Sequence, residues 1–378
     1  MKKVVIAIDS FKGSLSSQEV ANAFEQGFRT HFPECEIRKV CIADGGEGTV
    51  EALVDTLGGE YIEAEVCDPL HRPIKARYGI IDNGKTAVME MSAASGLPLL
   101  TIEERNPLLT STYGTGEMIS DALQRGCRRI LMGIGGSATN DAGTGMLRAL
   151  GYCFLDKEGQ ALSGGGEILA HIASIDGSHV SDVVKECEFV VACDVKNPLY
   201  GESGAAHIFA PQKGADAEMV EQLDKGLRNF ARVGEEYNGE KIADMEGAGA
   251  AGGLGGGLKA LLGARLERGI DMVLAAMNFD AIIEGSDIVV TGEGRIDYQT
   301  VMGKAPSGVL KAATKQGIPT IAIGGGIAWC EELRKSGFST IEAVTPEGMP
   351  LEVAMQKDVA RENVRRTAER IAESLTRK

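Results

Sequence analysis

Three short stretches place polar side chains directly after apolar runs. Asp9, Ser10, Phe11, Lys12, Gly13 and Ser14 follow "VVIAI", "DGGEGT" (Asp44 to Thr49) follows "KVCIA", and "TGEGRIDYQT" (Thr291 to Thr300) follows "DIVV". In an open parallel sheet, ligands sit beyond the carboxyl ends of the strands. Each stretch pairs small residues with acidic or basic ones, and its glycines let backbone amides approach an oxygen-rich ligand closely. Taken singly, any of these loops is accounted for by Asp, Ser and Gly as turn and cap residues. Three of them on one edge of one sheet favour a shared site.

Two further stretches carry possible chemistry. In "RRILMGIGGSATNDAGTGM" a strand leads through Gly133, Gly135, Gly136, Ser137, Thr139 and Asn140 or Asp141 into a helix, and amides and hydroxyls at a helix start can hold an anion without any lysine. Gly133, Gly135 and Ala138 also satisfy G-x-G-x-x-A, with Asp156 after "GYCFL" at roughly the spacing of a ribose-binding acid. In "CEFVVACDVKNPL", Asp194 ends a strand, followed by Lys196 and Asn197. A carboxylate there can take a proton from a substrate hydroxyl or bind magnesium if it points into a cleft, or it can cap the turn before Pro198. By contrast, Gly79, Gly84, Lys85 and Thr86 match the phosphate-loop pattern, but that pattern requires a following helix. "AVMEM" instead alternates like a strand, and Asn83-Gly84 is a strong hairpin signal, so no phosphate is expected there.

The elements that must hold these loops follow from periodicity. "KVVIAID", a helix pattern from Ser17 to His31, "EIRKVCIA", a helix from Glu47 to Leu57 and "YIEAEV" alternate at the N-terminus. "SDIVVTGEG", a helix around Lys304 to Lys315, "PTIAIGGG", a helix around Ala328 to Lys335, "TIEAVT" and a charged helix from about Leu351 repeat the rhythm at the C-terminus. Short apolar strands alternating with amphipathic helices imply parallel βαβ units. The middle has another texture, with "SGGGE" and "GAGAAGGLGGG"; the latter is either a hinge or close-approach loop before a helix from about Leu254, or a flexible connector. We therefore expect an α/β protein in which residues 1–92 and 286–378 form one domain and residues 93–285 form a second, inserted domain, with a ligand-holding cleft between them.

Composition narrows the function classes. The chain has 378 residues and a net charge of −15, which disfavours nucleic acid and anionic membrane as partners. Its eight cysteines and five histidines form no C-x-x-C or H-E-x-x-H spacing, so reduced thiols and no structural metal are expected. Asp9 ends the apolar run Val4–Ile8 before it reaches the length of an export signal, and no run is long enough to span a bilayer. A cytoplasmic protein is expected.

Together "AIDSFKGSLSS", "ADGGEGT", "GIGGSATNDAGTGM", "ACDVKNPL", "GAGAAGGLGGGL", "GID" and "TGEGRIDYQTVMGKAP", in that order along almost the whole chain, resemble the bacterial glycerate kinase family. The resemblance implies a Rossmann-like parallel-sheet domain formed by both chain ends, with a second α/β domain inserted. It also implies transfer of phosphate from ATP, with Mg²⁺, to D-glycerate, giving 2-phosphoglycerate and ADP in glyoxylate, glucarate or galactarate breakdown. Phosphoryl transfer requires alignment and charge stabilisation more than covalent work. On that basis Gly135, Gly136, Ser137, Thr139, Asn140 and Asp141 would hold ATP phosphates, and Asp194 would be base or metal ligand. Lys12 and Arg295 would neutralise the glycerate carboxylate or the γ-phosphate. Asp9, Ser10 and Asp44 would bind glycerate hydroxyls or metal, and Glu293 and Asp297 are further metal candidates. Partners would be glycerate and ATP, with the chain a monomer or homodimer. The rival functions are a nicotinamide-dependent oxidoreductase of a small hydroxy acid and a non-catalytic sugar-acid-binding regulator; a 3-phosphate product is the rival regiochemistry.

Overall fold

The computed structural model describes residues 1–377. It divides into two compact units: Met1–Asp44, Glu51–Leu57 and Val273–Lys378 form one, and Gly45–Val50 with Gly58–Met272 form the other.

The first unit is built on a five-stranded parallel sheet in the order Thr340–Ala343, Thr320–Ile327, Ile288–Ile296, Lys3–Ile8, Glu36–Cys41. Val4 to Ile8, Val289 and Val290 are fully buried, as strands covered on both faces must be, which explains their unbroken apolar runs. Helix Ser17–Phe28 starts at a capping box in which Ser16 and Glu19 satisfy each other's backbone amides. It packs on the C-terminal helix Lys357–Thr376, burying Phe24 and Phe28 with Val364, Ala368 and Ile371. Gly27 lies against the Arg365 carbonyl, where any side chain would collide with backbone. The central strands Lys3–Ile8 and Ile288–Ile296 feed neighbours on opposite sides of the sheet. Their carboxyl ends therefore part, and a crevice opens at this switch point.

The second unit holds a six-stranded mixed sheet, Arg265–Glu267, Glu188–Ala192, Arg129–Gly133, Thr86–Glu90, Pro73–Ile81, Glu60–Cys67. Its last two pairings are antiparallel and the rest parallel. The sequence rhythm assigned residues 60–92 to the first domain. The backbone ladder instead joins them through Thr86–Glu90 and Arg129–Gly133 to the second unit, so the crossovers lie near residues 45–58 and 272 rather than at 92 and 286. The Gly79 to Thr86 phosphate-loop match is a hairpin: Ile81 pairs with Thr86, and Asp82, Asn83 and Gly84 turn the chain with positive φ. No helix among the described residues is long and apolar enough to cross a membrane. The cysteines are free thiols.

Candidate active site

The crevice at the switch point of the first unit opens into a cavity of about 580 Å³ lined by Asp9, Ser10, Lys12, Asp44, Glu293 and Arg295, among others. Strand pairing fixes the first of these. Ile8 is in register with Gly292, the Asp9 N–H donates to the Gly292 carbonyl at 2.9 Å, and beyond that point the two chains separate. Asp9 is 5% exposed and accepts from the Ser10 N–H at 2.6 Å. The other strand continues to Ile296, pairing Arg295 with Gly326, and so carries Glu293 and Arg295 along the cavity. Glu293 accepts from the Thr300 hydroxyl at 2.6 Å.

Cations of this unit are arranged around the acids. Lys12 Nζ lies 3.8 Å from Asp44, and Lys304 Nζ lies 3.7 Å from Glu293. Arg295, with a side chain 73% exposed, lies 3.4 Å from Asp297. Burial pushes the Asp9 carboxyl up to about 7, helped by the charge of Asp44, against the opposing pull of the Ser10 amide and Lys12. Burial likewise raises Glu293, against the Thr300 hydrogen bond and Lys304. Carboxyls held this way favour a bound proton or cation. Among the described residues, no three His, Cys, Asp or Glu side chains converge as a ready-made metal site. Magnesium, however, takes one or two carboxylates and completes its shell with water and phosphate oxygens. The oxygen donors Asp44 and Glu293, crowded by a third carboxyl, fit such an ion.

Asp297 does not line the cavity. It caps helix Tyr298–Val301, accepting from the Gln299 N–H. Lys304, at the cap position of helix Ala305–Lys315, was missed by motif reading although the "GKAP" helix start was visible.

The residues expected to hold ATP phosphates lie in the second unit and depart from that expectation. Gly135 and Gly136 are exposed, but Thr139, Asn140 and Asp141 are fully buried. Asp141 is committed internally, accepting from the Thr112 N–H and hydroxyl and from the Gly143 and Gly145 amides. Ser137 accepts from Lys213, which also donates to the Thr139 carbonyl at 2.6 Å. Lys213 is 1% exposed, and burial lowers its ammonium to about 7, partly offset by Asp141. Nothing in "APQKGA" marks that lysine as buried. The Thr139 and Thr144 hydroxyls and the Asn140 carboxamide find no hydrogen-bond partner among the described residues. The "GAGAAGGLGGG" tract is a close-approach element: Ala251, Gly252 and Gly253 turn left-handed, and Gly252 lies against the Thr139–Asn140 backbone. Asp194, also in the second unit, is exposed and accepts from the Gly269 N–H at 3.1 Å, where helix Gly269–Ala276 begins. Asp156 binds the Glu158 and Gln160 amides in a turn after a short strand of a separate two-stranded sheet, so the dinucleotide pattern lacks its acid.

Comparison with known proteins agrees along the full length. The profile described as "Glycerate kinase family" matches residues 4–376. A glycerate kinase of Bacillus subtilis (strain 168) is 48% identical over 374 residues, 99% of this chain and 97% of its own. A glycerate 2-kinase of Escherichia coli (strain K12) is 48% identical over 325 residues, 86% of this chain and 85% of its own. The crystal structure of a putative glycerate kinase 2 from Salmonella typhimurium LT2 superimposes with a TM-score of 0.91 at 44% identity, covering 99% of this chain and 98% of the other. The chain therefore belongs to the glycerate kinase family of phosphotransferases.

Proposed function

We propose that the chain transfers the γ-phosphoryl group of ATP to the 2-hydroxyl of D-glycerate, giving 2-phosphoglycerate and ADP. The observation that carries this reading is Asp9, a buried carboxyl at the switch point of a parallel sheet, raised to about 7 and sharing its cavity with Lys12, Arg295 and Lys304. A buried carboxylate in that position is placed to accept the proton of the attacking hydroxyl. The role given to Asp194 on spacing therefore passes to Asp9, since Asp194 anchors a helix start. Lys12 and Arg295 bind the glycerate carboxylate, and Lys304, held beside Glu293, faces the transferred phosphoryl group. Asp44 and Glu293 would hold the magnesium ion that accompanies ATP, which would offset the charge of the phosphates. The name of the Escherichia coli relative supports the 2-position. Eight free thiols and ATP dependence fit a cytoplasmic location.

The test is ADP release, measured by a coupled assay with each glycerate enantiomer, beside a nicotinamide absorbance assay. ADP release with D-glycerate and a silent nicotinamide signal are expected. The reverse pattern would establish the oxidoreductase rival, and glycerate binding without either signal the regulator.

A further inference from the structure

The cavity is larger than a small acid requires. Even at about 30 Å³ per heavy atom, water's share of the liquid, a seven-atom acid such as glycerate fills about 200 Å³, against about 580 Å³ present. The lining also holds a set of apolar side chains: Ile327, Val344, Met349, Leu351 and Met355. Leu351 is 71% exposed and Met355 38%, so part of this apolar lining is open to a ligand. Beside Met349 in the lining sits Asn363, 7% exposed, whose amide donates to the Met349 thioether at 3.5 Å, a weak acceptor.

We propose that this apolar lining holds the nucleoside of the phosphate donor. Adenine lies against Met349, Leu351 and Met355, Asn363 reads the ring edge, and the polyphosphate extends to Lys304. The proposal rests on the ATP-dependent reading above and locates its donor. A lining that combines cations with thioethers and aliphatics matches a ligand with a polyanionic tail and a flat, apolar head. Thioether sulfur packs favourably on aromatic rings. A carboxamide can donate to a ring nitrogen and accept from an exocyclic amine at once, which suits a base better than a fatty or simple acid ligand. Position agrees as well: the site lies beyond the carboxyl ends of parallel strands beside the switch point, where Gly325 and Gly326 bring bare backbone to the cavity wall.

The test uses the full chain and its Leu351→Ser/Met355→Ser double variant, titrated calorimetrically with ADP, with tripolyphosphate and with D-glycerate. The variant is expected to lose ADP affinity tenfold or more while tripolyphosphate and glycerate stay within twofold. In wild-type protein carrying ¹³C-methyl methionine, ADP is expected to shift the Met349 and Met355 methyl signals through the ring current, and tripolyphosphate to leave them in place. Unchanged ADP affinity in the variant, or equal losses for ADP and tripolyphosphate, would overturn the nucleoside site. If the enzyme still makes ADP from ATP and glycerate, only this proposal falls. Wild-type protein that neither binds ADP nor forms it would remove the ATP-dependent reading as well.

Discussion

Replacing Lys213 by methionine removes a fully buried ammonium while keeping an unbranched side chain one atom shorter. Its ordinary value of 10.5 falls to about 7 in the folded chain. Between these values the unfolded chain binds a proton that the folded chain does not, so this group's contribution rises with pH through that window. Below about 7 both states carry the charge, and the full burial penalty stands. Linkage puts the rise at about 2.3 kcal/mol from pH 7 to 9, but only about 0.4 kcal/mol from pH 5 to 7. Every other titrating group is common to both proteins and cancels in the difference. Urea unfolding of wild-type and Lys213→Met protein at intervals between pH 5 and 9 measures that difference directly. Wild type should gain on the variant by about 2 kcal/mol above pH 7, from a baseline set by the bonds lost at Ser137 and Thr139. Curves that stay parallel would show that Lys213 keeps its proton, and would refute the argument that the Ser137–Asp141 loop encloses a desolvated amine.

Asp9→Asn should lower turnover at least about 100-fold, the usual contribution of a positioned base, without loss of stability, since the buried charge is a cost to folding. An equal loss on Asp194→Asn, with Asp9 dispensable, would return the base to Asp194. Lys12→Ala should raise the glycerate KM about tenfold or more by leaving an anion unpaired; unchanged saturation curves for both glycerate and ATP would remove Lys12 from the site. Gly252→Ala places a methyl group in a left-handed residue (φ +70) against the Thr139 carbonyl. It should cost about 2 kcal/mol or more, read as a drop of several degrees in Tm, whereas an unshifted Tm would mean that this turn can relax.

Parts of this molecule were legible because burial writes itself plainly into sequence. Runs such as "VVIAI" and "DIVV" are unbroken where both sheet faces are covered, and the polar residues after them locate the crevice. Strand pairing left a weaker trace. Glu60–Cys67 alternates exposed and buried residues as an antiparallel strand does, but nothing local says which sheet it joins, so the boundary was placed too far along. The helix expected over 328–335 shrinks to Glu331–Arg334, because the Ala328 N–H still bonds the Ile296 carbonyl and holds the chain extended. Glycine spacing suggested an open phosphate loop at 135–141, yet openness depends on neighbours distant in sequence, here Thr112, Lys213 and Gly252. Asn363 was invisible for a similar reason: an asparagine on a charged helix reads as surface until the apolar wall opposite it is known.

The most direct test of the central claim is phosphorus NMR of the product formed from ATP, Mg²⁺ and D-glycerate. The account predicts ADP and a single phosphomonoester on the secondary carbon, 2-phosphoglycerate, formed at least about 100-fold more slowly by Asp9→Asn. A 3-phosphate product would contradict it, requiring glycerate to lie the other way round and the roles of Lys12 and Arg295 to be exchanged or abandoned.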